Sequence, residues 1–272
     1  MNSVASSAFL SGDVERLPKD GEGGSSLVGK RIAVLIPTYN ERLNISELIP
    51  KIEDVFKRNE IDGRIIVVDD HSPDGTADVV EGYSMQYGNV MVLRRPEKMG
   101  LGTACLDGFK VALSIKADII VRMDGDLSHN PENIPKIAAK AEEGYGVVIG
   151  SRYIAGGRIE NWPLRRLAIS KAANLLVRVF LGIKVRDATS EYRAFSSDAL
   201  KKMSLSEIKT GGYMFKVEIL YNAKEHGVKI GETPIVFVNR KVGKSKLGQK
   251  EILEFGLQMA LLFLRRVKGG FS

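Results

Sequence analysis

The sequence predicts an α/β protein: a doubly wound, mostly parallel sheet flanked by helices. Three observations carry that expectation. Five short apolar runs alternate with helix-like segments at roughly thirty-residue spacing. The runs are apolar throughout, as strands are when helices cover both faces of a sheet. Acids also recur at the run ends (Glu41, Asp69 with Asp70, Asp124 with Asp126), and a parallel sheet gathers such groups on one rim.

Ile32 to Ile36 is the first strand, ended by Pro37. Asn44 is the expected N-cap of a helix towards Phe56, with Glu47 completing a capping-box pattern. Ile65 to Val68 is the second strand, and the turn chemistry of His71 to Thr76 leads into a helix reaching about Tyr87. Val90 to Leu93 and a helix from Gly102 to Lys116 follow. The next strand, Ile119 to Met123, ends abruptly in acid. Asn130 caps a helix from Pro131 to Glu143, with proline at its first position, and Val147 to Ile149 is the fifth strand.

Beyond Gly150 the pattern changes to a polar, glycine-containing loop and a helix from Arg165 to about Leu181. Ile169, Ala172, Ala173, Leu176 and Phe180 share one face of that helix. Such a stripe is expected to pack in the core; the alternative is contact with a membrane. A helix around Phe215 to His226 and a strand from Ile235 to Val238 come next. Arg240, Lys241, Lys244, Lys246 and Lys250 then form a basic stretch with no acid. In the helix from about Glu251 to Lys268, the uncharged stretch Phe255 to Leu264 is far shorter than the roughly twenty residues that span a bilayer. It is expected to pack on the domain or lie in a membrane interface. The chain thus divides into a flexible, Gly/Ser-containing arm (1–29), one α/β domain (30–240), and a basic loop with an amphipathic C-terminal helix (241–272).

Composition is that of a globular protein, 44% hydrophobic and 27% charged, which supports a core in a chain of 272 residues. The single cysteine, Cys105, excludes an internal disulfide and fits a reducing compartment. The first residues lack the basic and apolar regions of a signal peptide. The net charge of +7 is uneven: residues 201–272 carry fourteen Lys and Arg against six Asp and Glu, residues 1–200 carry 26 against 27. An anionic partner for the C-terminal part is expected: a phosphate-bearing substrate, nucleic acid or an anionic membrane.

Asp124 and Asp126, one residue apart, read either as a solvated turn or as a pair that needs a divalent cation between them. Acids at three strand ends on one rim favour a site. Gly100-Leu101-Gly102-Thr103-Ala104-Cys105 approximates a dinucleotide fingerprint, but Cys105 replaces its third glycine and it follows the third strand, not the first. The three histidines show no zinc spacing, and no motif supports nucleic-acid binding. Acids for a metal and a nucleoside, with Arg and Lys for phosphates, suit a nucleoside-diphosphate substrate.

Four segments carry a family resemblance: Pro37-Thr38-Tyr39-Asn40-Glu41, Val68 to Thr76 (VDDHSPDGT), Met123 to Pro131 (MDGDLSHNP) and Gly150-Ser151-Arg152-Tyr153. Together they resemble the family-2 glycosyltransferases, most closely the dolichyl-phosphate mannose synthases, and the Ser245 to Gly248 segment agrees. The resemblance implies a GT-A fold and an inverting transfer of mannose from GDP-mannose to dolichyl or polyprenyl phosphate. Pro37, Tyr39, Glu41, Val67 and Asp69 are then expected at the nucleoside. Asp124 and Asp126 are expected to hold Mg²⁺ or Mn²⁺ with the donor diphosphate. Ser128 is the weaker third metal candidate, since some relatives carry Gln there. Arg152, Arg166, Arg240 and Lys246 are expected on phosphates: Arg240 and Lys246 on the donor, Arg152 and Arg166 on the acceptor. A lipid phosphate is largely a dianion at neutral pH, so no general base is expected. Many relatives carry transmembrane helices after this domain. Without one, the protein is expected at the cytoplasmic face of a membrane, peripheral or held by a partner protein. The alternatives are the same transfer with another donor, such as UDP-glucose, and a non-catalytic nucleotide-sugar-binding scaffold.

Overall fold

Apolar residues on both faces of the early strands require helices on both sides, and that is how the chain folds. The computed structural model describes residues 27–208, 211–212, 214–239 and 255–264. The strands are β1 (Arg31–Thr38), β2 (Asp62–Asp69), β3 (Val90–Arg94), β4 (Ile119–Arg122), β5 (Val147–Ser151), β6 (Arg158–Glu160), β7 (Arg193–Ser196), β8 (Ile230–Pro234) and β9 (Val236–Val238). The helices are α1 (Arg42–Arg58), α2 (Thr76–Tyr87), α3 (Leu101–Ser114), α4 (Ile134–Glu142), α5 (Leu164–Leu181), α6 (Ser197–Lys202) and α7 (Phe215–Glu225), and residues 255–264 form a further helical segment.

Seven strands form one sheet in the order β3-β2-β1-β4-β7-β5-β8, and β6 pairs with β9 beside it. All neighbours in the large sheet are parallel except β7, which runs antiparallel between β4 and β5. Alternate residues of each strand feed two separate cores. Ile32, Val34 and Ile36 of β1 pack with α1 and α4, whereas Ala33 and Leu35 pack with α3, α5, α7 and the 255–264 segment.

Several elements depart from the sequence expectation for identifiable reasons. β1 runs through Pro37 to Thr38. Leu35 bonds towards β4, so the nitrogen of Pro37 faces the same way, beyond Arg122, where β4 has ended and no hydrogen bond is lost. Asn44 is not the cap of α1, which starts at Arg42. Instead Asn44 donates to Glu41 Oε2 at 2.6 Å from inside the helix. The cap comes from the turn after β2: Asp74 Oδ2 accepts from the Arg42 N–H at 3.1 Å, and Thr76 Oγ1 from the Glu41 N–H at 3.1 Å. The helix after Asn130 opens with a 3₁₀ turn, Pro131–Asn133, and the Asn130 side chain accepts from the Glu132 N–H as a cap should.

The stripe on α5 is buried only at Ala173, which faces inward with Ser170, Asn174, Val177 and Leu181, while Ala172, Leu176 and Phe180 are exposed and Ile169 is half-buried. The polar pair turns in because it has partners there. The Tyr153 hydroxyl donates to Ser170 at 2.8 Å, and Asn174 Nδ2 donates to Thr189 Oγ1 at 3.1 Å.

The remote cap on α1 is testable. Asp74→Ala should lower stability by about 1 kcal/mol near neutral pH, read as a shifted denaturant midpoint. Burial alone would raise the Asp74 carboxyl, but hydrogen bonds from Thr76 and the Arg42 N–H hold it below its ordinary value of 3.8. Its contribution is therefore complete above that value and is lost as pH falls through the depressed one, so the gap between variant and wild type should close in acid. A gap that is absent at pH 7, or unchanged in acid, contradicts this.

Candidate active site

The carboxyl ends of β1, β4 and β5 surround a cavity of about 470 Å³. Of the residues singled out from the sequence, Pro37, Tyr39, Glu41, Asp124, Asp126, Arg152 and Arg166 line it together. Val67 and Asp69 do not. Val67 is fully buried in the core on the α1 side of the sheet. Asp69 lies beneath the rim, where its carboxylate accepts from Thr38 Oγ1 at 3.0 Å and from the Ser72 N–H and hydroxyl at 2.9 and 2.6 Å. It ties the ends of β1 and β2 to the following turn. Arg240 and Lys246 lie outside the described residues.

The turn after β4 is tightly built. Gly125 packs against Ile36, Thr38 and Ile45, where an added Cβ would come within 3.3 to 3.4 Å. Leu127 takes a left-handed φ of 63°. Ser128 is buried, and both its N–H and its hydroxyl donate to Asp126 Oδ1, so it orients Asp126. His129 Nδ1 accepts from the Asp124 N–H at 3.0 Å, and burial holds the imidazole below its ordinary pKa, in the neutral form this bond requires. Its ring stacks on Tyr192 at 4.8 Å.

Asp124 and Asp126 are the acids of this turn that face the cavity. Among the described residues no group of three His, Cys, Asp or Glu side chains could hold a metal. A cation here would take two protein carboxylates and complete its shell from water and substrate oxygens. That donor set fits Mg²⁺, and Mn²⁺ accepts the same oxygen ligands.

Behind the carboxylates lies an array of buried charge that sequence reasoning missed. Arg122 lies 3.0 Å from Asp124 Oδ1, an ion pair without hydrogen-bond alignment, and 2.8 Å from Glu191 Oε2. Glu191 also pairs with Lys216 at 2.9 Å. Burial would raise the Glu191 carboxyl, but Arg122, Lys216 and Arg193 bring it down to about 2. Arg193 spends its donors on the carbonyls of Ala188, Ser190 and Lys216. β7 makes this possible, since its antiparallel register sets Arg193 opposite Arg122. The one legible signal was Arg122, a charge ending an otherwise apolar run.

Arg152 holds Asp187 in a bidentate pair, both bonds at 2.7 Å, and donates to Thr189 at 2.8 Å. Burial opposes ionisation of Asp187, but Arg152 outweighs it and keeps that carboxyl below the ordinary range. Arg166 lies 3.9 Å over the Trp162 ring and donates to Asn239 at 3.0 Å. On the opposite wall, Asp70 accepts from Arg95 at 2.7 Å and from the Met99 and Gly100 N–H groups at 2.9 and 2.8 Å. Those bonds fix the loop carrying Lys98, whose ammonium sits 3.6 Å above the Tyr39 ring. Gly100 begins α3 from a φ of 96°, a conformation open to glycine. Asp70, one of the acids expected at the strand-end rim, lines the cavity, whereas Lys98 was not assigned to the site from sequence.

Known proteins share this architecture. The chain is 37% identical over 232 residues to the polyprenol monophosphomannose synthase of Mycolicibacterium smegmatis, covering 85% of this chain and 86% of the relative. It is 38% identical over 217 residues to the undecaprenyl-phosphate mannosyltransferase of Micrococcus luteus, covering 80% and 87%. Among solved structures, glucosyl-3-phosphoglycerate synthase from Mycobacterium tuberculosis, in complex with Mn²⁺, UDP and phosphoglyceric acid, superposes with a TM-score of 0.65 at 20% identity, covering 90% of this chain and 81% of that one. That likeness shows a GT-A-type fold. The profile of Glycosyl transferase family 2 matches residues 33–204, and with these relatives it establishes that the chain belongs to that family.

Proposed function

We propose that the protein transfers mannose from GDP-mannose to a dolichyl or polyprenyl phosphate, with inversion, at the cytoplasmic face of a membrane. The observation that carries this reading is the meeting, in one cavity, of Asp124 and Asp126 with Arg152, Arg166 and Lys216. Such a cavity suits two phosphate-bearing substrates held side by side. The names of the two relatives support mannose and a polyprenyl phosphate. A scaffold would need no paired carboxylates beside the phosphate-binding wall.

Asp124 and Asp126 would hold the divalent cation, which when bound neutralises charge on the leaving diphosphate. The Tyr39 ring with Lys98 above it, and Glu41, offer a stacking surface and an acceptor to the nucleoside. Arg166, braced on Trp162, and Arg152, braced by Asp187, face the acceptor phosphate. An acceptor phosphate oxygen attacks the anomeric carbon, the carbon–oxygen bond to GDP breaks, and GDP leaves with the bonding electrons. A dianionic acceptor has no proton to lose, so the protein's task is to hold anions together and exclude water. The carboxylates around the site are already engaged: Asp70 with Arg95, Asp187 with Arg152, Glu191 with Arg122 and Lys216.

Asp126→Asn keeps size and removes one charge, so transfer should fall about a hundredfold or more with the unfolding midpoint little changed. A folded variant with near wild-type transfer would show that Asp126 holds no essential cation. For the acceptor, the acid limb of the pH–rate profile should reflect its second ionisation, near about 6 for a monophosphate, and should move upward with a phosphonate acceptor of higher pKa. A limb that ignores the change of acceptor and disappears in a folded Glu191→Gln enzyme would reveal a general base.

A further inference from the structure

The chain contains one tryptophan, Trp162, and it stands at the edge of the cavity between β6 and α5. Its backbone is pinned on both sides. Asn161 before it takes a left-handed φ of 61°, which asparagine tolerates better than most residues. Pro163 after it restricts Trp162 towards extended backbone. Asn239 adds a tie: its side chain donates to the Asn161 carbonyl at 3.1 Å and accepts from Arg166 at 3.0 Å. The ring is half-buried. Its Nε1–H is sealed from solvent and has no hydrogen-bond partner among the described residues. A tryptophan that serves only the core usually bonds its N–H, so packing alone does not explain this one.

What the ring touches is charge. The Arg166 guanidinium lies 3.9 Å, and that of Arg152 5.1 Å, from the centre of the same indole. The two come from different elements, Arg152 just past β5 and Arg166 in the first turn of α5. Phe237 backs both contacts: it meets Trp162 edge to face at 5.5 Å and lies 5.5 Å from Arg152. Beyond it, His129 of the metal-facing turn meets Phe237 edge to face at 5.4 Å. One aromatic wall thus runs from that turn to both arginines. Arg152 needs such a wall, because it stands between the cavity and an open groove of about 590 Å³ along α5. Two like charges on one ring repel each other, and the positive end of α5, whose first turn holds no acid, adds to the field. A phosphate dianion entering beside the guanidiniums relieves that repulsion and takes charge-assisted hydrogen bonds from both.

We propose that Trp162 is the positioning residue of the acceptor site: its one ring holds Arg152 and Arg166 side by side as a clamp for a phosphate. The inference deepens the lipid-phosphate reading and rests on it for the identity of the acceptor, but its test reads phosphate binding separately from transfer.

The test is calorimetric binding of a water-soluble short-chain prenyl phosphate, and of a simple alkyl phosphate, to the wild type and its variants. Trp162→Leu removes the ring and should weaken both about tenfold, with acceptor KM raised in step and the Kd of GDP with Mg²⁺ unchanged. Trp162→Phe keeps an aromatic face and loses only an N–H that bonds to nothing, so it should stay within about threefold of the wild type. Because the ring acts through the arginines, Trp162→Leu should add only about threefold or less in an Arg166→Ala background. The wild type supplies a reading that needs no variant to fold. Trp162 is the only indole in the chain, so fluorescence emission reports this ring alone and should shift when a phosphate binds beside the two cations. Wild-type phosphate affinity in the folded Leu variant, an equal loss of GDP affinity, a Phe variant no better than Leu, losses that add in full with Arg166→Ala, or an emission that ignores a bound phosphate each overturn the inference. So does a wild type that binds neither phosphate. Phosphate binding that the Leu variant loses, with no transfer by the wild type to the prenyl phosphate, upholds the clamp and defeats the lipid-phosphate reading instead.

Discussion

Ionised groups sealed inside a sheet edge must find each other, and at the carboxyl end of β4 that constraint shapes the site. Arg122 is buried where β4 meets the cavity, with Asp124 on one side and Glu191 on the other. Glu191 in turn meets Lys216, and Asp187 meets Arg152. Losing one member of such a pair typically costs about 3 to 5 kcal/mol, because the other is left charged and unsolvated. Each member is therefore held by the next. Arg122 braces Asp124 at the cavity edge, and the depressed Glu191 and Asp187 carboxyls are poor proton acceptors.

The antiparallel β7 is the fold's answer to the same constraint. A purely parallel sheet would set β5 directly against β4 and leave Arg122 without Glu191. Inserting a returning strand brings residues 187–193 across the edge, and with them one anion for each buried arginine that needs one. The Arg152–Asp187 pair then stands at the end of β5, where it separates the cavity from the groove along α5.

How much of this was legible follows from the physics of each element. The first five strands and their helices announce themselves as apolar runs with short polar breaks, because burial on both faces leaves no other composition open to them. β7 does not, since Glu191 and Arg193 disguise a buried strand as a polar loop. The α5 stripe misleads for the opposite reason: Ala172, Leu176 and Phe180 point out, while Ser170 and Asn174 point in beside Ala173 and Val177, towards partners distant in sequence. The cap of α1 comes from Asp74, 32 residues from Arg42, beyond the reach of a local pattern. In the site, Glu41, Asp124 and Asp126 could be named because they follow strand ends, whereas Pro37, Tyr39, Arg152 and Arg166 were named through the family resemblance of their segments. Lys98, Arg122, Glu191 and Lys216 act through contacts that only the folded chain creates.

The proposed transfer requires two anions to be held in one cavity and joined through the anomeric carbon. Its most direct test is a donor screen with purified protein, Mg²⁺ or Mn²⁺ and a polyprenyl phosphate, with the product's anomeric configuration read by NMR. The expected result is mannose transferred from GDP-mannose, one GDP released per sugar, and a product linkage inverted relative to the donor. Retention of configuration, preference for UDP-glucose, or transfer to no lipid phosphate at all would contradict it.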